Sequence, residues 1–286
     1  MDQVLLQLLN GLVVGLSLAL VASGLALIFG VLDIVNFAQG DFFMLGGYVL
    51  WFTVDRTGNF LLGVVLAAVV VGVAGGLTLL AFLWPLLDRP HALVILATLG
   101  LSLIVQQEAT NLFGGATRLV QPPIAAQIPL GSVRYPVYNL AIIAAGALIL
   151  AAGYLFLRYA KYGIWIRAVA QNRSMAAAMG VPVPRVYALA FIASAALAAV
   201  AGSLLAPIVA VYPTVGNDVI LNAFIIVVAG GMGNFRGAAV VSILLGEVQA
   251  LGSIHLRPVT VQIIALGLVI LLLIVRSRRQ SALVRL

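Results

Sequence analysis

The fold class predicted by this chain is all-α: a polytopic helical membrane protein with about eight to ten transmembrane helices. Three observations predict it. Of 286 residues, 64% are hydrophobic and 8% charged, whereas soluble chains carry about 45–50% and about 25%. The mean hydropathy is +1.21. The apolar residues also gather into nine runs, most of them close to the roughly 20 residues that a helix needs to cross a bilayer. Disordered, collagenous, coiled-coil and disulfide-scaffold readings are thereby excluded. No composition break divides the chain, so residues 1–286 read as one transmembrane domain.

The runs fall at residues 4–29, 34–54, 60–87, 92–113, 137–157, 186–212, 219–233, 237–253 and 258–275. The first follows Met1, Asp2 and Gln3 with no basic segment before it, so it reads as a retained span and not a cleaved signal peptide. The seventh is short. Fifteen residues rise about 22 Å, less than a hydrocarbon core of roughly 30 Å, so it either draws Asn217 and Asn234 to the interfaces or re-enters.

Charge sets the orientation. Residues 158–185 hold Arg158, Lys161, Arg167, Arg173 and Arg185 and no acidic residue, which marks a cytoplasmic loop. The tail, with Arg276, Arg278, Arg279 and Arg285, is expected on the same side. Counting back places 30–33, 88–91 and 230–236 inside, with 55–59, 114–136, 212–218 and 254–257 outside. The N-terminus is then outside and the C-terminus cytoplasmic. Only Arg56, Arg118, Arg134 and Arg257 lie outside in this arrangement; the opposite orientation inverts the bias. The external stretch 114–136 is rich in proline and glutamine, suiting either a plain connection or an external contact surface.

Catalytic constellations are missing. Cysteine is absent, the histidines are His91 and His255 alone, and the one lysine, Lys161, lies outside any phosphate-binding loop pattern. There is no Gly-x-Ser-x-Gly elbow. The reading is therefore not an enzyme, with no catalytic or metal site and no cofactor; ATP, if it drives the protein, binds to another polypeptide. The net charge of +7 is not arranged as a basic stripe interleaved with aromatics, so no nucleic-acid partner is expected.

Within the long cytoplasmic loop, Asn172 is placed to cap a short helix over residues 173–179. Gly180 stands at the position after its end, and Pro182 and Pro184 stop it. Met175 and Met179, four apart, share one face. Two turns are too short to be stable alone. The helix either lies on the protein's own surface or packs into a partner's groove, a use to which methionine is suited.

These residues carry a resemblance. The pattern Gly163…Arg167-Ala168…Asn172…Ala176…Met179-Gly180-Val181 resembles the coupling-helix loop of ABC importer permeases. The run Phe29-Gly30-Val31-Leu32-Asp33-Ile34-Val35-Asn36-Phe37-Ala38-Gln39-Gly40-Asp41-Phe42-Phe43-Met44-Leu45-Gly46-Gly47-Tyr48 is similar to the opening of the branched-chain amino-acid permease family. The turn Gly230-Gly231-Met232-Gly233-Asn234-Phe235-Arg236-Gly237 resembles the smaller of the two permease subunits in those systems. The resemblance spans nearly the whole chain. It implies an ATP-driven importer with a second permease subunit, sister or identical, two cytoplasmic ABC ATPase subunits and an extracytoplasmic solute-binding protein, in the bacterial cytoplasmic (inner) membrane and in contact with its lipid. Relatives carry branched-chain and other hydrophobic amino acids, amides or urea. Gly163, Arg167, Asn172, Met175, Ala176, Met179 and Gly180 become the ATPase-coupling candidates. At Gln171-Asn172, where an acidic residue is common, this loop departs from the pattern, and a less polar contact is expected.

Polar residues within spans are the translocation-path candidates, because such groups are costly in a bilayer. Asn36, Gln39 and Asp41 follow a turn expected near the cytoplasmic interface, where they either cap and position the second helix or line the path. Glu108 is expected toward the outer end of the fourth span beside Gln106 and Gln107. Glu247 lies in the eighth, two residues from Gln249 and hence on another helix face. A faint echo between Asn36-Phe37-Ala38-Gln39-Gly40 and Asn234-Phe235-Arg236-Gly237 places similar turns at two expected cytoplasmic points. The small-residue runs Gly72…Gly75-Gly76 and 195–202 suit close helix packing. An ion-coupled secondary transporter of small polar solutes is the alternative function; it would rest on Glu108 and Glu247 and leaves the methionine face unexplained. An intramembrane enzyme lacks paired aspartates within spans.

Overall fold

The computed structural model describes residues 2–130 and 133–254, with 256, 260, 261, 263, 264 and 267. The ninth expected run is covered only at scattered positions, and the arginine-rich tail lies outside the described residues. Among these residues ten helices and one pair of strands follow in order: α1 Asp2–Leu32, α2 Gln39–Thr57, α3 Phe60–Thr78, α4 His91–Phe113, β1 Gln127–Leu130, β2 Val133–Pro136, α5 Val137–Tyr159, α6 Lys161–Gln171, α7 Arg173–Ala178, α8 Val183–Leu205, α9 Val215–Gly230 and α10 Phe235–Gly252. Past α3 the chain tightens through a π turn, Leu79–Leu83, and a 3-10 turn, Trp84–Leu86, where Pro85 forbids regular α-helix. Among the described residues six helices are long and apolar enough to span a membrane; α2 and the shorter α9 are embedded among them.

α1 is the central column. Residues 15–28 are buried throughout and hydrophobic on every side, as an enclosed stretch must be, and α5, α8, α9 and α10 pack around α1. Close approach comes from small residues. Gly11 and Gly15 meet Gly246 and Ile243 of α10, while Gly72, Gly75 and Gly76 of α3 meet Ile192, Ala195 and Ala196 of α8, which is the packing use expected of these runs. α3, α4 and α5 turn Leu61, Val69, Leu103 and Leu148 outward, as lipid-facing helices do.

The expected inside connections meet at one end of the bundle. One groove is lined by Gly30, Asp33, Leu87, His91, Asn172 and Met232, all from expected inside connections. At the other end Arg118 bridges to Val211, and the Tyr135 hydroxyl donates to Asn10 Oδ1 at 3.2 Å. The stretch 114–136 contains an antiparallel strand pair, with Gln127 opposite Pro136.

Four element boundaries differ from the sequence reading, each for a local reason. The second apolar run is helical only from Gln39. Asp33 turns left-handed at φ 56°, and 33–36 then run without helical structure, with Ile34 and Asn36 buried. The sixth run ends as a helix at Leu205, since Pro207 and Pro213 bar continuation. Residues 206–214 fold back inward instead, burying Ala206 and Val211. Pro184 opens α8 from its first turn, where its missing N–H costs nothing, and is not a stop. Residues 161–171, taken as loop, form the amphipathic helix α6, burying Gly163, Ile166 and Val169.

Candidate translocation and coupling sites

The buried non-helical turn puts the start of α2 deep inside the bundle. Gln39 Nε2 donates to the Ser194 carbonyl of α8 at 3.1 Å, and Asn36 Oδ1 accepts from the Ala38 N–H at 3.2 Å. Asp41 stands in the first turn of α2, 1% exposed. There the helix dipole favours its negative charge. Its depth corrects the shallow interfacial position expected from sequence. Asn36 is likewise enclosed, whereas Asn234, its partner in the sequence echo, is an exposed N-cap accepting from Gly237 N–H at 3.1 Å.

α9 begins at the same depth. Gly40 and Gly216 lie backbone to backbone, so two helix N-termini converge inside the membrane domain. Gln106 of α4 joins them. Its Nε2 is 3.0 Å from Asp41 Oδ1, 3.0 Å from Ser102 Oγ and 2.9 Å from Asn217 Oδ1. An amide NH2 has two hydrogens, so these three acceptors compete for it. Below them Asn222 Nδ2 donates to the Asp218 carbonyl at 2.9 Å, and Gln249 Nε2 of α10 donates to Asn222 Oδ1 at 3.3 Å. Asn217 and Asp218 are exposed. The result is a polar strip, from Gln106 through Asn217 and Asn222 to Gln249, on an open face of embedded helices.

Behind the strip, Asn36 Nδ2, Gln39 Oε1, Asp41 Oδ2, Tyr48 Oη and Ser194 Oγ are buried without a hydrogen-bond partner among the described residues. Each such group costs about 1–3 kcal/mol. Of the expected path residues, Asn36, Gln39 and Asp41 thus meet at one place. Glu108 does not join them. It is two residues from Gln106 on α4 and so turns to a different side, where it is exposed. Glu247 lies against the Gly11 backbone of α1, while Gln249 faces α9. The sequence reading missed the joint role of Ser102, Gln106 and Asn217. The mid-helix polarity of Gln106 was a signal, but its partners are far away in sequence.

The inside-expected end carries the second site. Asn172 caps α7, its Oδ1 accepting from Met175 N–H at 2.9 Å. Gly180, at φ 81°, ends it: its N–H donates to Ala177 O, and the Val181 N–H to Ala176 O, both at 3.0 Å. These are the two bonds of a Schellman close. Ala176 is buried, while Met175 and Met179 are 62% and 79% exposed. Gly163 packs on the Phe156 carbonyl, fixing α6 against α5. Arg167 Nη2 donates to the Arg158 carbonyl at 3.1 Å. The groove beside α7 has a volume of about 700 Å³. At this end Asp33 faces His91 at 3.4 Å, and Asp88 faces Arg173 at 3.9 Å.

Residues 7–274 match the family model described as branched-chain amino acid transport system, permease component. The chain belongs to that permease family. Among its relatives is the LivH permease protein of a high-affinity branched-chain amino acid transport system from Salmonella typhimurium, 28% identical over 286 residues, covering 94% of this chain and 92% of the relative. Escherichia coli LivH is 29% identical over 284 residues, with the same coverage. BraD, the corresponding permease protein of Pseudomonas aeruginosa, is 27% identical, covering 94% of this chain and 93% of BraD. No solved structure matches. The permease is a multi-pass membrane protein and a transport subunit by family.

Proposed function

We propose that this permease passes branched-chain or other hydrophobic amino acids across a bacterial cytoplasmic (inner) membrane, as part of an ATP-driven importer. It binds no ATP and no other cofactor itself; two separate ABC ATPases hydrolyse ATP on the cytoplasmic side. A second permease subunit, sister or identical, completes the path, and an extracytoplasmic solute-binding protein delivers the amino acid. The N-terminus is outside and the C-terminus cytoplasmic. Family membership and the distribution of arginines support this reading.

The observation that carries the path assignment is the polar strip on α4, α9 and α10. Facing lipid, these side chains would be unfavourable; facing the second permease, they line a water-accessible seam. A zwitterion needs a group for each charge. The positive end of the α9 dipole suits its carboxylate. The side-chain carbonyl of Asn217 suits its ammonium, with the buried Asp41 carboxylate behind it, and neighbouring apolar side chains suit its aliphatic part. At the cytoplasmic end, ATPase closure pushes on Met175 and Met179. The cap at Asn172 and the Gly180 close hand that push on to α8, and α6, seated on α5 at Gly163, hands it on to α1.

Co-purification with the cognate ABC ATPases tests the reading. Wild type retains them, and Met175→Arg does not while remaining folded. An ATPase lost equally from neither protein removes α7 as the docking element.

A further inference from the structure

We infer that the pocket between the ends of α1, α5 and α10, roofed by α6, binds the headgroup of an anionic phospholipid. The pocket encloses about 290 Å³ and is lined by Tyr154, Leu157, Arg158, Ile166, Arg167 and Arg236 among others. Arg158 Nη1 donates to the Tyr154 hydroxyl at 3.1 Å, and Arg236 Nη2 donates to the same oxygen. The Arg236 guanidinium also lies over the Tyr154 ring, 4.2 Å from its centre. Two cations thus converge on one neutral oxygen, and a third, Arg167, is tied to the Arg158 carbonyl. No lining residue is acidic. Among the described residues the ion pairs at this end are those of His91 and Arg173, not of these three arginines. Guanidinium forks with donors to spare match phosphate oxygens in geometry and charge.

A membrane source fits better than a dissolved one. The pocket stands where the apolar spans α5 and α10 end. Tyr159 follows Arg158 at the end of α5, and on α6, which roofs the pocket, Tyr162 and Trp165 lie edge to face at 5.4 Å with Lys161 over Trp165 at 5.0 Å. Aromatic and basic residues at a span end mark the headgroup level. Below it, exposed Leu155 and Phe156 offer an apolar flank for acyl chains. Basic pockets between transmembrane helices take acidic headgroups. The bound lipid would join α5, α6 and α10, the frame on which α7 sits.

The test uses the full chain in mixed micelles, with phosphatidylglycerol and phosphatidylcholine offered together and retained lipid counted by native mass spectrometry. Wild type retains phosphatidylglycerol in about tenfold preference. The Arg158→Gln/Arg236→Gln double variant loses that preference, and Tyr154→Phe, which keeps every guanidinium, holds most of it. A folded double variant with undiminished preference overturns the proposal. So does wild type that retains both lipids equally, which also decides the matter if the double variant does not fold. Inorganic phosphate that displaces phosphatidylglycerol at equal concentration assigns the pocket to a free anion and overturns the lipid source. Loss of ATPase retention in the double variant with lipid preference intact makes the pocket a docking site for an acidic ATPase segment, again overturning it.

Discussion

Gly40 and Gly216 start two different helices and touch through their backbones: a Cβ on Gly40 would fall on the Gly216 carbonyl oxygen, and one on Gly216 would fall on the carbonyl of Gly40. Backbone cannot yield as a flexible side chain can. Gly216→Ala is therefore expected to destabilise the permease by about 1–3 kcal/mol, as overpacking does. Gly100→Ala is the control. That helical position has nothing within 4 Å of an added Cβ, so the change should be neutral or stabilise by about 0.5–1 kcal/mol. Thermal unfolding in detergent reads both.

Gln106 donates through Nε2 to Asp41 Oδ1 at 3.0 Å and also reaches Asn217 Oδ1 at 2.9 Å. Gln106→Leu removes it and leaves a carboxylate buried with fewer partners. Hydrogen bonds to charged groups contribute about 1.5–3 kcal/mol, so amino-acid uptake should fall on the order of tenfold or more. Gln107→Leu, one residue on, should leave uptake within about twofold, because exposed substitutions away from such features stay near ±0.5 kcal/mol. Equal loss in both would detach the strip from transport.

Met179→Arg tests coupling without touching the fold. The side chain is 79% exposed, so stability should move by less than about 0.5 kcal/mol while ATP-driven uptake is lost. Gly180→Ala acts differently. It forces a side chain to φ 81°, costing about 1–2 kcal/mol, and should loosen α7 itself. Hydrogen exchange at Val181 N–H, which closes the helix on Ala176, separates the two effects.

Glu247→Gln keeps the shape of the side chain against the Gly11 backbone and removes its charge. If Glu247 serves the path or a subunit interface, uptake falls with the melting temperature unchanged. A raised melting temperature with full uptake would make it a structural residue only.

Much of this was legible in the sequence. Long apolar runs bounded by charge gave the spans of α1, α3, α4, α5 and α10 nearly to their ends. The Asn172 cap and Gly180 close were local motifs and appear as read. The deep start of α2 was not legible. Ile34, Val35, Phe37 and Ala38 are as apolar as any helical residues, and hydropathy does not distinguish a buried extended segment from a helix. α6 hid because its buried positions, Gly163, Ile166 and Val169, include a glycine that packing, not hydrophobicity, put there. The polar strip joins Gln106, Asn217, Asn222 and Gln249, with Asp41 behind Gln106, residues whose proximity is a property of the assembled bundle.

The most direct test of the whole account is leucine uptake into proteoliposomes that hold this permease, its partner permease and the ATPases, with the solute-binding protein supplied outside. Uptake is expected to require ATP on the ATPase side, to persist when ion gradients are collapsed, and to vanish with Met179→Arg. Leucine uptake by the permease alone, driven by a proton or sodium gradient and indifferent to ATP, would contradict it.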